Sequence, residues 1–128
     1  MVNKPINILV VDDSKSLGYL YKSVFSNIPD CKLSLCGSIE EARGYLERKK
    51  PDLLILDIDL PDGSGIDFLK EIRAKGSNTE VIIISAVNRS SIVVEGAKLG
   101  VKNYLIKPID INLLMSKVKE IFNLDDVS

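Results

Sequence analysis

Short apolar runs alternate along the chain with segments in which apolar residues recur every three or four positions. The runs have the length of β-strands, and the recurring pattern is typical of amphipathic helices. It predicts five strands, at residues 6–11, 32–36, 53–56, 81–84 and 104–106. It also predicts five helices, at about residues 14–27, 39–49, 66–73, 91–99 and 111–122. Ser38 and Glu41 have the spacing of a capping box at the start of the second helix.

The first, third and fourth strand runs lack the polar alternation of a strand with one face in water. Helices should therefore cover both faces of the sheet, which indicates parallel strands joined by right-handed crossovers. The predicted fold is α/β, a doubly wound parallel sheet of five strands with (βα)5 order. Ligand sites in such folds lie beyond the carboxyl ends of the strands.

Size and charge narrow the class of protein. The 128 residues, of which 45% are hydrophobic, suit one domain covering residues 1–128. The 17 basic and 18 acidic residues argue against direct nucleic-acid binding. No long apolar stretch predicts a signal peptide or a membrane span, so we expect a cytoplasmic protein. The few residues after Phe122 are too short for an effector domain, so the chain either acts alone or is part of a longer protein.

Several catalytic classes are excluded by residue content. Histidine is absent, which removes serine-histidine and cysteine-histidine catalysis and histidine-ligated zinc. Cys31 and Cys36 lie five apart in one short apolar run and match no metal or redox spacing, so we expect reduced, largely buried thiols. Any chemistry must use carboxylates, hydroxyls and lysine.

Polar residues follow four of the predicted strands, where the ends of a parallel sheet meet. They are Asp12, Asp13, Asp57, Ser85 and Lys107. Three carboxylates held together repel one another unless a positive group lies among them, and Mg²⁺ prefers such oxygen ligands. With a hydroxyl and a lysine nearby, the set predicts a site for phosphoryl chemistry. Helix capping alone remains the alternative for Asp12 and Asp13. No glycine-rich loop follows the first strand, which disfavours a Rossmann or P-loop fold.

The chain resembles the receiver domains of two-component response regulators, in particular the single-domain chemotaxis regulators. The resemblance spans the whole chain and rests on four motifs in the family's order. They are Val10-Val11-Asp12-Asp13-Ser14, Leu56-Asp57-Ile58-Asp59-Leu60-Pro61-Asp62-Gly63, Ile84-Ser85-Ala86 and Tyr104-Leu105-Ile106-Lys107-Pro108. The resemblance implies a flavodoxin-like strand order, 2-1-3-4-5.

The resemblance also implies a chemical role for the acids. Asp57 would accept a phosphoryl group from a histidine kinase or a histidine phosphotransfer protein. Asp13, Asp57 and the backbone carbonyl of Asp59 would bind Mg²⁺, with Asp12 acting mainly through a coordinated water, and Mn²⁺ is an expected substitute. The chain would then be a signalling switch that catalyses only its own phosphoryl transfer and autodephosphorylation.

The remaining motif residues would contact the phosphoryl group and transmit its presence to the protein surface. Lys107, the Ser85 hydroxyl and the Ala86 amide would contact it, although Ser85 stands where the family more often has threonine. Tyr104 would then turn inward and change the surface of the fourth helix, fifth strand and fifth helix; a fixed core aromatic is its alternative. That surface would bind a downstream protein whose identity the sequence does not give, or a second copy in a phosphorylation-linked homodimer.

The sequence also predicts one peptide isomer and two residues that affect phosphoryl lifetime, and it leaves two alternative functions open. The Lys107–Pro108 peptide is predicted to be cis, and Asp59 and Val87 are expected to tune the lifetime of the phosphoryl group. Asp57-Ile58-Asp59 also fits the aspartate-nucleophile phosphohydrolases of the haloacid-dehalogenase type, but their nucleophile follows the first strand. A phosphorylation-independent pseudo-receiver is the second rival, and the complete acid set disfavours it.

Overall fold

A computed structural model of the chain describes residues 5–86 and 90–124. Its centre is a five-stranded sheet of β1 (Ile6–Val11), β2 (Cys31–Cys36), β3 (Leu53–Asp57), β4 (Glu80–Ser85) and β5 (Asn103–Ile106). The strand order is β2-β1-β3-β4-β5, and all neighbouring strands are parallel. The predicted fold class and strand order are therefore confirmed. A short antiparallel hairpin, Asp59–Leu60 with Gly63–Ser64, lies outside this sheet.

One helix follows each strand of the main sheet. They are α1 (Lys15–Phe25), α2 (Ile39–Arg48), α3 (Gly65–Ala74), α4 (Ser90–Lys98) and α5 (Ile111–Phe122). Side-chain oxygens of Ser14, Ser38, Ser64 and Asp110 cap α1, α2, α3 and α5. The predicted elements are all present, with ends that differ by one or two residues. None of the helices in the described part of the chain is long and apolar enough to cross a lipid bilayer.

The capping box predicted for α2 is only half formed. The Ser38 Oγ accepts from the Glu41 amide, but the Glu41 carboxylate accepts from the Gly37 amide and not from that of Ser38. Asp62 from the distant hairpin loop accepts from the first two amides of α2, at 2.9 and 3.1 Å. A carboxylate supplied by another segment therefore completes this cap, which local sequence spacing does not reveal.

Helices cover both faces of the sheet. The helices α2, α3 and α4 pack on one face, against side chains that include Leu9, Leu54 and Ile83. The helices α1 and α5 pack on the other face, against side chains that include Ile8 and Ile55. Because successive strand residues point to opposite faces, a strand buried on both sides must be apolar throughout, as β3 is up to its last residue.

The carboxyl ends of the strands are held together at one edge of the sheet. Three backbone hydrogen bonds continue the ladders past the strand ends: Asp12 N–H to Cys36 O (2.9 Å), Ile58 N–H to Ile84 O (3.0 Å) and Lys107 N–H to Ser85 O (2.8 Å). We call this the carboxyl edge. The first residues after β1, β3 and β5 are therefore fixed relative to one another before any side chain is considered.

Candidate functional site

Three carboxylates converge at the carboxyl edge. Asp57 ends β3 and is buried, with 2% of its surface exposed. Asp12 follows β1 with its side chain 3% exposed, and Asp13 beside it is open to solvent. One carboxylate oxygen from each of the three lies within 4.8 Å of the others. The structure thus brings together the acid cluster that the sequence predicts.

Lys107 supplies a cation to this cluster. Its Nζ lies 2.9 Å from Asp57 Oδ2 and 3.5 Å from Asp12 Oδ2. Burial lowers the pKa of Lys107, but the hydrogen bond to Asp57 and the charges of both carboxylates outweigh this, so the pKa is raised. The lysine is therefore a fixed positive charge at neutral pH. The Lys107–Pro108 peptide is cis, the isomer predicted from the sequence.

The Asp57 carboxylate is held at both oxygens. Lys107 donates to Oδ2, and the backbone amide of Asp59 donates to Oδ1 at 3.0 Å. The Gly65 amide donates to the Ile58 carbonyl at 2.8 Å, which places the start of α3 directly over the end of β3. A side chain at Gly65 would overlap the Asp57 carbonyl oxygen, so this close approach requires glycine.

Asp12 is less well satisfied than Asp57. Its Oδ1 accepts from the Ser14 amide at 2.9 Å, whereas its Oδ2 is buried and has no hydrogen-bond partner among the described residues. Burial raises the pKa of Asp12 and so does the charge of Asp57, and together they outweigh the Ser14 amide and Lys107. The ion pair with Lys107, 3.5 Å from Oδ2, therefore compensates the charge of ionised Asp12 only in part.

The donor set of this cluster fits Mg²⁺. Three carboxylates face one lysine, which leaves an excess of negative charge and a buried oxygen of Asp12 with no hydrogen bond. Mg²⁺ prefers hard oxygen ligands, needs only one or two carboxylates and retains several waters, which suits a cluster with one open side at Asp13. A divalent cation would also relieve the repulsion between the acids.

The other predicted site residues lie around this cluster. Ser85 ends β4 with 6% of its surface exposed, opposite Ile106 in the sheet, and the exposed Ala86 follows it. The side chain of Asp59 is exposed at the hairpin. Val87 lies outside the described residues. The structure therefore places Ser85 at the same edge as the acids and Asp59 at its rim.

Tyr104 in β5 contacts helix α4. Its hydroxyl donates to the Val93 carbonyl at 3.0 Å and lies 3.3 Å from the Val101 carbonyl. A side chain at Gly96 would overlap the Tyr104 hydroxyl, so glycine at this position makes room for the tyrosine ring. The roles of Gly65 and Gly96 are not predictable from the sequence, because close approach between distant segments leaves no periodic signal.

Known proteins resemble this chain in sequence and structure. The family model described as the response regulator receiver domain matches residues 8–119. The transcriptional regulatory protein DpiA of Escherichia coli is 36% identical over 106 residues, which cover 82% of this chain and 47% of DpiA. The chemotaxis protein CheY of Thermotoga maritima is 31% identical over 104 residues, which cover 79% of this chain and 84% of CheY.

A solved receiver-domain structure also resembles this chain. The signal receiver domain of a putative LuxO repressor from Vibrio parahaemolyticus superposes with a TM-score of 0.85 and 33% identity. The match covers 94% of this chain and 92% of that domain. The chain spans about half the length of the curated transcriptional regulators that it matches.

Proposed function

This chain belongs to the response regulator receiver domain family and is a phosphorylation-dependent signalling switch, and we propose that Asp57 accepts the phosphoryl group. The observation that carries this assignment is the environment of the Asp57 carboxylate. It is buried at the carboxyl edge, shares the acid cluster with Asp12 and Asp13, and is fixed by Lys107 and the Asp59 amide. No other carboxylate among the described residues belongs to such a cluster.

In the proposed reaction, the donor is a phosphorylated histidine of a kinase or a phosphotransfer protein. An Asp57 carboxylate oxygen attacks the phosphorus, the bond between phosphorus and the histidine nitrogen breaks, and an acyl phosphate forms on Asp57. Lys107 would neutralise a phosphoryl oxygen, since its ammonium group is already aimed at Asp57. When bound by Asp13, Asp57 and the Asp59 carbonyl, with Asp12 acting through a water, Mg²⁺ would supply the remaining neutralising charge.

The added charge would operate the switch. The phosphoryl group makes the pocket more negative, which favours hydrogen bonds from the Ser85 hydroxyl and the Ala86 amide. Tyr104 joins β5 to α4, because its hydroxyl donates to the Val93 carbonyl. Movement of Ser85 towards the phosphoryl group would change that contact and the outer face of α4, β5 and α5.

That outer face has the character of a binding surface. Exposed apolar side chains on α4, β5 and α5 are Val93, Val94, Ile106 and Leu113. We propose that they contact a downstream protein, or a second copy of the chain, with an affinity that depends on phosphorylation. Residues 1–128 would act as one receiver domain in the cytoplasm, where a kinase can reach it.

Phosphorylation in vitro tests the assignment. Acetyl phosphate with Mg²⁺ should add one phosphoryl group, which peptide mass spectrometry should map to Asp57. Asp57→Asn should abolish the modification, whereas Asp67→Asn, at an exposed aspartate of α3, should leave it unchanged. A phosphoryl group on any other residue would overturn the assignment, and continuous turnover of phosphate esters would favour a phosphohydrolase instead.

A further inference from the structure

Tyr21 carries a buried hydroxyl that the proposed reaction does not use. Its side chain lies on the inner face of α1, its surface is 0% exposed, and its ring stacks on Phe25 with 6.4 Å between centroids. The hydroxyl oxygen has no hydrogen-bond partner among the described residues. Phenylalanine would fill the same space without a polar atom, so packing alone does not account for the hydroxyl.

The hydroxyl lies near the acid cluster. The charges of Asp12 and Asp57 raise the pKa of Tyr21 further, after burial as the main cause. Tyr21, Asp12 and Asp13 also line one cavity of about 300 Å³ between α1 and the end of β2. A buried donor therefore borders the same space as two of the three acids.

Asp12 is the matching acceptor. Only two buried side-chain polar atoms in the described part of the chain lack a hydrogen bond, and they are Tyr21 Oη and Asp12 Oδ2. One is a donor and the other an anionic acceptor, which has only a longer ion pair with Lys107 at 3.5 Å, and the two are not bonded to each other. Buried polar groups are rarely left unpaired, so the pair points to an arrangement in which both are satisfied.

We propose that Tyr21 is a positioning residue for the divalent cation: with the cation bound, its hydroxyl donates to the Asp12 carboxylate or to a water held by that carboxylate. This rests on the metal site assigned under the proposed function. A cation fixes the orientation of the carboxylates around it, and a partner behind a ligand holds that orientation. The hydroxyl would thus favour the loaded site and contribute nothing to the metal-free fold.

Two measurements on Tyr21→Phe test whether the hydroxyl stabilises the metal-loaded site and not the metal-free fold. The Kd for Mg²⁺, followed by amide chemical shifts during titration with magnesium chloride, should rise about tenfold or more, as expected for one lost hydrogen bond to a charged group. In EDTA, the urea midpoint of unfolding should stay unchanged or increase, since a hydroxyl without a partner is removed. Tyr19→Phe is the matched control, because Tyr19 lies on the same helix and cavity with 72% of its surface exposed.

The possible failures are distinguishable. An unchanged Mg²⁺ affinity in Tyr21→Phe would overturn the role of Tyr21 and leave the metal site intact. An equal loss of affinity in Tyr19→Phe would also overturn it, because the effect would not be specific to the buried hydroxyl. Absence of Mg²⁺ binding by the unaltered protein would overturn both this inference and the metal site.

Discussion

Two partly buried cations at opposite edges of the sheet have different surroundings. Arg73, at the end of α3, donates to the carbonyl oxygens of Leu99 and Thr79 at 2.8 Å and of Ser77 at 3.2 Å. Lys107, at the carboxyl edge, faces the carboxylates of Asp57 and Asp12. Arg73 joins neutral acceptors from two chain segments, whereas Lys107 lies in a cluster with excess negative charge.

This difference separates a structural polar site from a reactive one. The hydrogen bonds of Arg73 connect α3, the loop before β4 and the end of α4 without further ligands, and burial lowers its pKa with only Glu80 opposing. At the carboxyl edge the pKa values of both Lys107 and Asp12 are raised, and the buried Oδ2 of Asp12 has no hydrogen bond among the described residues. The hydrogen bonds of Arg73 stabilise the fold. The excess negative charge around Lys107 instead leaves the acid cluster able to bind a cation and to react.

Removal of Arg73 should have the largest effect on stability. In Arg73→Met, three carbonyl groups lose their donor, and we expect the free energy of unfolding to fall by about 3 kcal/mol. The loss should be the same with and without Mg²⁺, as measured by urea denaturation. Arg48→Met, at an exposed position ending α2, should change stability by less than about 0.5 kcal/mol. A Mg²⁺-dependent loss in Arg73→Met would contradict the comparison.

Removal of Lys107 should depend on Mg²⁺. Lys107→Met leaves Asp12 and Asp57 without their cation, and we expect the free energy of unfolding in EDTA to fall by about 2 kcal/mol, reduced by the partial exposure of the lysine. Saturating Mg²⁺ should restore most of this loss, because the metal supplies positive charge to the same carboxylates. In the phosphorylated protein the free energy of unfolding of Lys107→Met should nevertheless remain below that of the wild type, because the phosphoryl group lacks its lysine partner. An equal loss of stability with and without Mg²⁺ would show that Lys107 acts like Arg73.

Neutralisation of Asp12 should have a smaller effect of opposite sign. Asp12→Asn keeps an oxygen for the Ser14 amide and removes a charge that burial disfavours, so metal-free stability at pH 7 should increase by about 1 kcal/mol. The Kd for Mg²⁺ should increase as well, because the cluster loses a carboxylate. Lower stability in EDTA would show that the contact with Lys107 outweighs burial.

The pH dependence of this gain follows from the raised pKa of Asp12. The folded protein holds the Asp12 proton more tightly than the unfolded chain does, so metal-free wild-type protein gains stability as the pH falls through the raised pKa. That gain is complete below the ordinary value of 3.8. The advantage of Asp12→Asn should therefore be full at neutral pH and disappear near that value, as measured by urea denaturation in EDTA.

Replacement of Asp59 should have the smallest effect. Its side chain is exposed at the rim while its backbone amide holds Asp57, so Asp59→Ala should preserve the acceptor geometry. Loss of a carboxylate that can orient an attacking water should lengthen the half-life of phosphorylated Asp57, by about tenfold or less for a group outside the buried cluster. Decay of the phosphorylated protein at fixed Mg²⁺ measures this. A shorter half-life would show that Asp59 mainly repels the phosphoryl group.

The sequence predicts the fold and the acid cluster for the same reason. Apolar runs identify buried parallel strands, and residues that follow such strands must meet at one edge, as Asp12, Asp57 and Lys107 do. Properties that depend on contacts between distant segments were not predictable. The Asp62 cap of α2 and the acceptors of Arg73 both join segments that local spacing does not relate.

The Tyr21 hydroxyl shows a second limit of prediction from sequence. Its position in the helical pattern correctly predicts a core residue, because the ring occupies an apolar position of α1. Whether the hydroxyl finds a partner depends on side-chain packing around the end of β1, and periodicity contains no information on that. The available signal is a tyrosine in a core position about two helical turns beyond a pair of acids.

The separation of the two edges also matters for engineering. Lys49 and Lys50 are exposed and precede β3, and Asp57 ends that strand of 5 residues. At a rise of about 3.3 Å per residue, this loop lies about 16 Å from the acceptor. A fluorescent or dimerising module inserted there would interrupt none of the segments that carry the carboxylates, so the chain offers a place to attach a reporter of its own phosphorylation.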